Sequence, residues 1–80
     1  MYIKILNPQG VVFEGEIELA QFPGSLGSFQ VLQNHAPLIS TLEKGEIRVI
    51  LPDKAEKFFP ISGGIVEVRK NDLVVLITEV

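Results

Sequence analysis

Residues 11–22 have the sequence VVFEGEIELAQF, in which apolar and acidic side chains alternate. The apolar positions of one parity are Val11, Phe13, Ile17 and Leu19, and those of the other parity include Glu14, Glu16 and Glu18. Successive side chains of an extended strand point to opposite faces, so this pattern predicts a strand with one apolar face and one face in water.

The same period of two recurs in residues 46–51, where Ile47, Val49 and Leu51 alternate with Glu46, Arg48 and Ile50. Four further short runs, residues 2–6, 57–61, 65–69 and 73–78, are rich in Val, Ile, Phe or Leu and are bounded by turn residues. The best helical window, residues 33–44, contains Pro37 in its interior, where proline removes a backbone hydrogen bond. The sequence therefore predicts an all-β fold, a small antiparallel β-sandwich or flattened barrel of short strands.

Composition limits the class of protein. The chain has 80 residues, no cysteine, one histidine and a net charge of -3 at pH 7. This length suits one domain, and a disulfide framework or a zinc site of Cys and His ligands is excluded. The 10 Asp and Glu against 7 Lys and Arg argue against a nucleic-acid surface. Lys4 and Pro8 interrupt the apolar start, so we expect no signal peptide and a cytoplasmic protein.

Residues 19–42 contain no Asp, Glu, Lys or Arg, although charged residues make up 21% of the chain. The prolines, glycines and amides of this segment exclude a transmembrane helix. The segment is therefore buried either in its own core or against a partner. Because the cores of protein interfaces are depleted in charge, a binding face is a reasonable hypothesis.

Candidate catalytic and metal-binding groups are few. Glu14, Glu16 and Glu18 would share one strand face about 7 Å apart, which is typical of a solvated outer face more than of a metal site. His35 has no recognisable nucleophile motif beside it, which favours a histidine that holds a loop or touches a partner. The segment GSLG at residues 24–27 lacks the Lys-Ser/Thr of a phosphate loop and indicates a tight turn. We expect no catalytic residue, no metal and no cofactor site.

Residues 53–55, Asp-Lys-Ala, lie in a predicted turn between strands. This short motif resembles the hairpin tip of lipoyl and biotinyl carrier domains, where a lysine carries the cofactor. The resemblance implies that Lys54 is an attachment site. A solvated turn lysine is the simpler interpretation, since Lys54 lies far from the middle of the chain and the two halves lack the internal symmetry of the carriers.

A second resemblance extends over nearly the whole chain. Residues 23–39, PGSLGSFQVLQNHAPLI, are similar to the signature loop of the epsilon subunit of bacterial F-type ATP synthase, which has the pattern P/T-G-x-x-G-x-[FL]-G-V-L-P-x-H-A-P-L. The flanking segments also match in order: residues 12–15 (VFEG), Leu42-x-x-Gly45-x-Ile47-Arg48, residues 62–68 (SGGIVEV) and a final apolar strand at residues 73–77. The chain is identified as a member of this family.

The resemblance implies a central-stalk rotor subunit without catalytic residues, peripheral to the cytoplasmic face of the bacterial inner membrane, that couples proton flow to ATP synthesis. The implied contacts with the gamma subunit are made by His35, Ala36, Pro37, Leu38 and Ser40. The implied contacts with the polar loops of the c-ring are made by Gly24, Ser25, Leu26, Gly27, Ser28 and Phe29. Both sets lie in the charge-free segment 19–42, whose composition by itself favours a binding face.

The sequence departs from the family pattern in two places, and each departure leads to a prediction. Leu26 and Ser28 occupy positions where many members have glutamates facing basic c-ring residues, so we expect an apolar contact through Leu26. Most members continue into two C-terminal helices, whereas this sequence ends at Val80. We therefore expect a single sandwich domain over residues 1–80 without the helical hairpin. The residues do not distinguish a naturally short subunit from one domain of a longer protein.

Overall fold

A computed structural model describes residues 1–78 of the chain. The described residues form nine strands, connected mostly by short turns: β1 (Tyr2–Asn7), β2 (Gly10–Glu16), β3 (Leu19–Gly24), β4 (Gly27–Leu32), β5 (Leu38–Leu42), β6 (Gly45–Ile50), β7 (Glu56–Ile61), β8 (Gly64–Arg69) and β9 (Asp72–Ile77). Within residues 1–78, no helix has the length and apolar character needed to cross a membrane.

The strands form one curled sheet in the order β2-β1-β9-β8-β5-β3-β6-β7, with β4 paired to β3. Strands β5 and β3 are joined by only one residue pair, Gly24 with Leu42, so the sheet is divided there into two parts. We call β2, β1, β9, β8 and β5 the first half-sheet, and β4, β3, β6 and β7 the second half-sheet. All strand pairs are antiparallel except β1 and β9, which are parallel.

The core lies between the two half-sheets. Alternate residues of the first half-sheet, such as Ile5, Val66 and Val75, are fully buried, and they join one hydrophobic cluster with Phe22 and Ile47 of the second half-sheet. No buried polar or charged residue is found among residues 1–78. The predicted all-β sandwich is confirmed, with the parallel β1–β9 pair as the one departure from an antiparallel arrangement.

Residues 11–22 form two strands instead of the single alternating strand that the sequence predicted. The chain leaves β2 and crosses to the second half-sheet at Ile17 and Glu18, whose backbone N–H groups donate to the carbonyls of Met1 at 2.8 Å and Ile50 at 2.7 Å. This crossing changes which parity points inward, because the odd-numbered Ile17 is buried at the crossing and the even-numbered Ala20 and Phe22 are buried after it. The prediction of one strand here was therefore wrong, although the alternation was correctly interpreted as extended structure.

The charge-free segment contributes two strands that the periodicity of the sequence did not predict, β4 and β5. Strand β4 pairs with β3 over six residue pairs, from Leu19 with Leu32 to Gly24 with Gly27. Strand β5 pairs with β8, and Ser40 lies opposite Val66. The segment is thus partly core and partly surface, and it extends from one half-sheet to the other.

Candidate functional site

The hairpin of β3 and β4 ends in a two-residue turn, Ser25 and Leu26. The side chain of Leu26 is fully exposed, at 105% of its reference area. Two hydrogen bonds to Thr41 of β5 fix Ser25: Thr41 Oγ1 donates to Ser25 Oγ at 2.9 Å, and Ser25 N–H donates to the Thr41 carbonyl at 3.0 Å. The turn therefore presents one large apolar side chain from a supported backbone.

The glycines beside this turn are required by the backbone. A Cβ atom on Gly24 would lie 2.6 Å from the Gly27 carbonyl oxygen and 2.8 Å from the Phe29 ring. Gly27 has a φ of 129°, which side-chain-bearing residues rarely adopt. Phe29 points back toward the core, and Ser28 accepts a hydrogen bond from Gln21 Nε2 at 3.2 Å. Of the six residues predicted to contact the c-ring, only Ser25 and Leu26 form the outermost part of the tip.

The connection between β4 and β5, residues 33–37, carries His35 and is called the His35 segment below. Asn34 has a φ of 62° in the left-handed region, and the His35 N–H closes the turn by donating to the Leu32 carbonyl at 3.1 Å. His35 Nδ1 lies 2.7 Å from the Ala36 carbonyl oxygen. Since a carbonyl only accepts, Nδ1 is the donor of this bond.

Of the remaining residues predicted to contact gamma, Ala36 and Pro37 precede β5, whereas Leu38 and Ser40 lie in it. Leu38 and Ser40 lie opposite Val68 and Val66, whose side chains are buried, so both point to the inner side of the sheet and are half-buried. Ser40 Oγ donates to the Thr41 carbonyl at 3.0 Å. Ala36 and Pro37 are exposed, and the outward residue between Leu38 and Ser40 is Ile39, at 67% exposure.

Ile39 belongs to an apolar surface on the outer face of the first half-sheet. It borders a shallow depression of about 200 Å³ that is also lined by Ile65, Val74, Leu76 and Glu67. We call Ile39, Ile65, Val74 and Leu76 the outer patch. Its four side chains are 40–67% exposed. The strand register makes them neighbours: Ile65 pairs with Leu76, and Glu67 pairs with Ile39 on one side and Val74 on the other.

The sequence reasoning did not predict the outer patch, because its residues come from three strands that are distant along the chain. One signal was present in residues 73–77, LVVLI, which are apolar at both parities. A strand with a single apolar face alternates, whereas apolar residues at both parities indicate that both faces are covered. In the structure Leu73, Val75 and Ile77 are buried and the intervening Val74 and Leu76 are exposed.

The three glutamates of the predicted acidic face have different surroundings. Glu14 accepts a hydrogen bond from the Tyr2 hydroxyl at 2.6 Å, Glu16 lies 3.5 Å from the terminal amine, and Glu18 pairs with Lys54 at 2.6 Å. The hydrogen bond to Glu14 is the largest cause that raises the pKa of Tyr2. Within the described part of the chain no cluster of His, Cys, Asp or Glu could hold a metal ion. These three carboxylates therefore serve as hydrogen-bond and ion-pair partners at the surface.

Lys54, the attachment site implied by the carrier resemblance, lies in the turn between β6 and β7. It has a φ of 75° and its N–H donates to the Leu51 carbonyl at 2.8 Å. Its side chain is exposed, and its ammonium is paired with the Glu18 carboxylate. This is the geometry of a solvated turn lysine with an ion-pair partner.

These features define a β-sandwich domain with two exposed apolar elements, a hairpin tip and a sheet face. The chain belongs to the family described as ATP synthase, Delta/Epsilon chain, beta-sandwich domain, whose family model matches residues 1–80. The resemblance to the epsilon subunit is thereby confirmed.

Relatives called ATP synthase epsilon chain support this assignment. Those of Chlorobaculum tepidum and Chlorobium limicola are 44% and 40% identical to this chain over 78 residues, covering 98% of this chain and 89% of each relative. The relative from Desulfitobacterium hafniense is 42% identical over 74 residues, covering 92% of this chain and 55% of its own length. The chain thus spans most of some relatives and about half of others.

Two solved structures share the fold. A chain in the Euglena gracilis mitochondrial ATP synthase, OSCP/F1/c-ring in rotational state 1, superposes with a TM-score of 0.90 at 18% identity, covering 96% of this chain and 49% of that one. A chain in the central stalk/c-ring of the Tetrahymena thermophila mitochondrial ATP synthase gives a TM-score of 0.84 at 13% identity, covering 99% and 63%. At these identities the likeness establishes the β-sandwich fold.

Proposed function

We propose that this chain is a non-catalytic central-stalk subunit of a proton-translocating ATP synthase, in which it binds gamma and the c-ring and couples proton flow to ATP synthesis. It is peripheral to the cytoplasmic face of the bacterial inner membrane through the complex. The relatives named ATP synthase epsilon chain support this function.

The observation that carries the gamma contact is the outer patch next to the His35 segment. Exposed apolar side chains grouped on one sheet face mark interaction surfaces, because isolated soluble domains seldom leave them in water. Ile39 is the most exposed member and lies between the predicted contacts Leu38 and Ser40. We therefore extend the proposed gamma surface from His35, Ala36 and Pro37 across Ile39 to Ile65, Val74 and Leu76 of the neighbouring strands.

The inward direction of Leu38 and Ser40 changes their proposed part in this surface. Leu38 packs against the core and Ser40 donates to the backbone of its own strand. Both residues therefore stabilise β5 from the inner side of the sheet. In the proposal the apolar contact to gamma is made by Ile39. The ion pair of Glu67 and Arg69, with Nε and Oε2 2.9 Å apart, lies beside it and supplies polar groups to the surface.

The c-ring contact is proposed for the hairpin tip. Leu26 projects fully into solvent from a turn held by Thr41, and no charged residue lies within residues 19–42. A turn whose backbone is already fixed loses little backbone freedom on binding, which favours a small contact of this kind. The tip and the outer patch share no residue, so the two contacts can be tested with different substitutions.

Co-purification with gamma tests the proposal. Ile39→Asp and His35→Glu each add a charge to the proposed gamma surface and are expected to weaken gamma binding strongly. Ser40→Arg is expected to weaken it through displacement of β5. The matched control is Phe58→Asp, which places the same charge at a residue of 52% exposure in the second half-sheet. Gamma binding that persists in both Ile39→Asp and His35→Glu, or that is lost equally in Phe58→Asp, contradicts the proposed surface.

A further inference from the structure

We propose that Asn71 is a positioning residue that holds the His35 segment in the conformation needed for gamma binding. The effect on gamma binding rests on the proposed function, whereas the contact between Asn71 and the His35 segment can be tested in the isolated chain. Asn71 lies in the turn between β8 and β9, 37 positions along the chain from Asn34. The two residues nevertheless share a reciprocal pair of hydrogen bonds.

The first bond runs from the Asn34 backbone N–H to Asn71 Oδ1 at 2.8 Å. The second runs from Asn71 Nδ2 to Asn34 Oδ1 at 3.0 Å. These bonds are mutually consistent, because a backbone N–H donates only to the oxygen of the Asn71 amide, which leaves its nitrogen to donate in return. A side chain that makes both bonds fixes the backbone and the side chain of Asn34 together.

Asn71 is itself fixed by the fold. Its carbonyl accepts a hydrogen bond from the Tyr2 N–H at 2.7 Å, which joins it to the start of β1. It also follows Lys70, whose φ of 53° belongs to the tight turn between β8 and β9. Three distant parts of the chain, β1, the β8–β9 turn and the His35 segment, therefore meet at one asparagine.

The His35 segment depends on such an anchor. Asn34 adopts a left-handed φ of 62°, which is less favourable for it than for glycine, and β4 and β5 on either side are not paired with each other. The Asn71 amide stabilises that conformation from outside. Because His35 follows Asn34 directly, the direction of its ring depends on the same bonds.

The experiment compares Asn71→Ala, Asn71→Asp and Asn34→Gly with the control Asp53→Ala in the isolated chain and in complex with gamma. Asp53→Ala removes a comparable turn bond, from Ala55 N–H to Asp53 Oδ1 at 3.0 Å, in the second half-sheet. We expect Asn71→Ala to accelerate hydrogen exchange of the Asn34 amide about tenfold. It should also shift the His35 ring resonances and weaken gamma binding about tenfold.

Asn71→Asp retains the acceptor for the Asn34 N–H, so it should restore much of the Asn34 amide protection. Asn34→Gly retains the N–H and suits the left-handed φ, so the chain folds and loses only the second bond. We expect a smaller shift of the His35 resonances in that variant. Asp53→Ala should leave the His35 resonances and gamma binding unchanged.

Unchanged Asn34 exchange and His35 resonances in Asn71→Ala overturn the positioning role. An equal loss of gamma binding in Asp53→Ala also overturns it, since general destabilisation then explains the effect. Failure of the proposed function is recognised separately, because His35→Glu and Ile39→Asp would then bind gamma normally whatever the Asn34 amide does.

Discussion

Phe22 of β3 and Phe29 of β4 lie opposite each other in the hairpin, with ring centroids 5.5 Å apart and planes inclined by 32°. Phe22 is fully buried, whereas Phe29 is half-buried and packs against the core from its border. This pair connects the exposed tip at Leu26 to the interior of the sandwich. The hairpin is therefore held by the core as well as by backbone bonds, which keeps the proposed c-ring contact in place.

Truncation of Phe29 should loosen this connection. We expect Phe29→Ala to lower the free energy of unfolding by about 1–3 kcal/mol, less than for a fully buried phenylalanine, because the ring loses both apolar contact and its aromatic partner. Urea denaturation of the isolated chain measures this loss. Leu26→Ala is the control, since a fully exposed side chain contributes little to folding and its removal should change stability by less than about 0.5 kcal/mol. Equal stabilities of the two variants would contradict the proposed anchoring.

Leu26 should contribute to c-ring binding and not to folding. Leu26→Asp is expected to unfold at the same urea concentration as the unsubstituted chain but to associate with the c-ring about tenfold more weakly, because burial of a leucine contributes about 1.5–3 kcal/mol. The measurement is assembly of the gamma-containing stalk on the c-ring, followed by proton-driven ATP synthesis. Leu26→Met keeps an apolar side chain of similar size and should behave like the unsubstituted chain. Undiminished coupling in Leu26→Asp would contradict the c-ring contact.

Much of the fold was predictable, because most strands coincide with an apolar or alternating pattern in their own sequence. Alternation in residues 46–51 predicted the half-buried strand β6, and runs of Val, Ile, Leu and Phe predicted β1, β7, β8 and β9. Strands β4 and β5 escaped the prediction, since their extended form depends on pairing with β3 and β8, which lie elsewhere in the sequence. The split at Ile17 escaped it too, because the carbonyls of Met1 and Ile50 that end one strand and begin the next are distant along the chain.

The candidate site was only partly predictable for a related reason. The motif in residues 23–39 predicted His35 and the hairpin tip as contact residues, since these residues are close in sequence. The outer patch is assembled by register: Ile39, Ile65 and Leu76 become neighbours only once β5, β8 and β9 are paired. Asn71 was not predicted for the same reason, because its contact with Asn34 joins two turns that are 37 positions apart in the sequence.

Gly64 allows the close approach of β8 and β9 and should not tolerate a side chain. A Cβ atom there would overlap the Leu76 carbonyl oxygen and lie 3.1 Å from the Ile77 Cα atom, so the strands would have to separate. We expect Gly64→Ala to lower the free energy of unfolding by about 1–3 kcal/mol, as measured by thermal or urea denaturation.

The neighbouring Gly63 provides the matched control. A Cβ atom on Gly63 would lie 3.5 Å from the Leu42 carbonyl oxygen and 3.6 Å from Thr78 Oγ1, which are ordinary contact distances. Gly63→Ala should therefore be tolerated, with a change below about 0.5 kcal/mol. The interpretation of Gly64 as a point of close packing fails when both substitutions have the same effect.

Tyr2 should ionise at unusually high pH. Its hydroxyl donates to Glu14 Oε2 at 2.6 Å, and this hydrogen bond, followed by desolvation and the charges of Glu14 and Glu16, raises its pKa above the ordinary value of about 10. Because the pKa is higher in the folded chain than in the unfolded chain, the interaction stabilises the fold fully below about pH 10 and is lost as the pH rises through the folded pKa.

The chain has one tyrosine and no tryptophan, so the ultraviolet absorbance of tyrosinate reports this single group. Glu14→Gln should bring the pKa of Tyr2 down toward its ordinary value, because both the hydrogen bond to a carboxylate and its charge are lost. Glu16→Gln should lower it less, since Glu16 acts on Tyr2 only through its charge. Glu46→Gln, in β6 of the second half-sheet, is the control and should leave the titration unchanged. A titration curve that is the same in Glu14→Gln as in the unsubstituted chain would show that the Tyr2–Glu14 bond does not persist in solution.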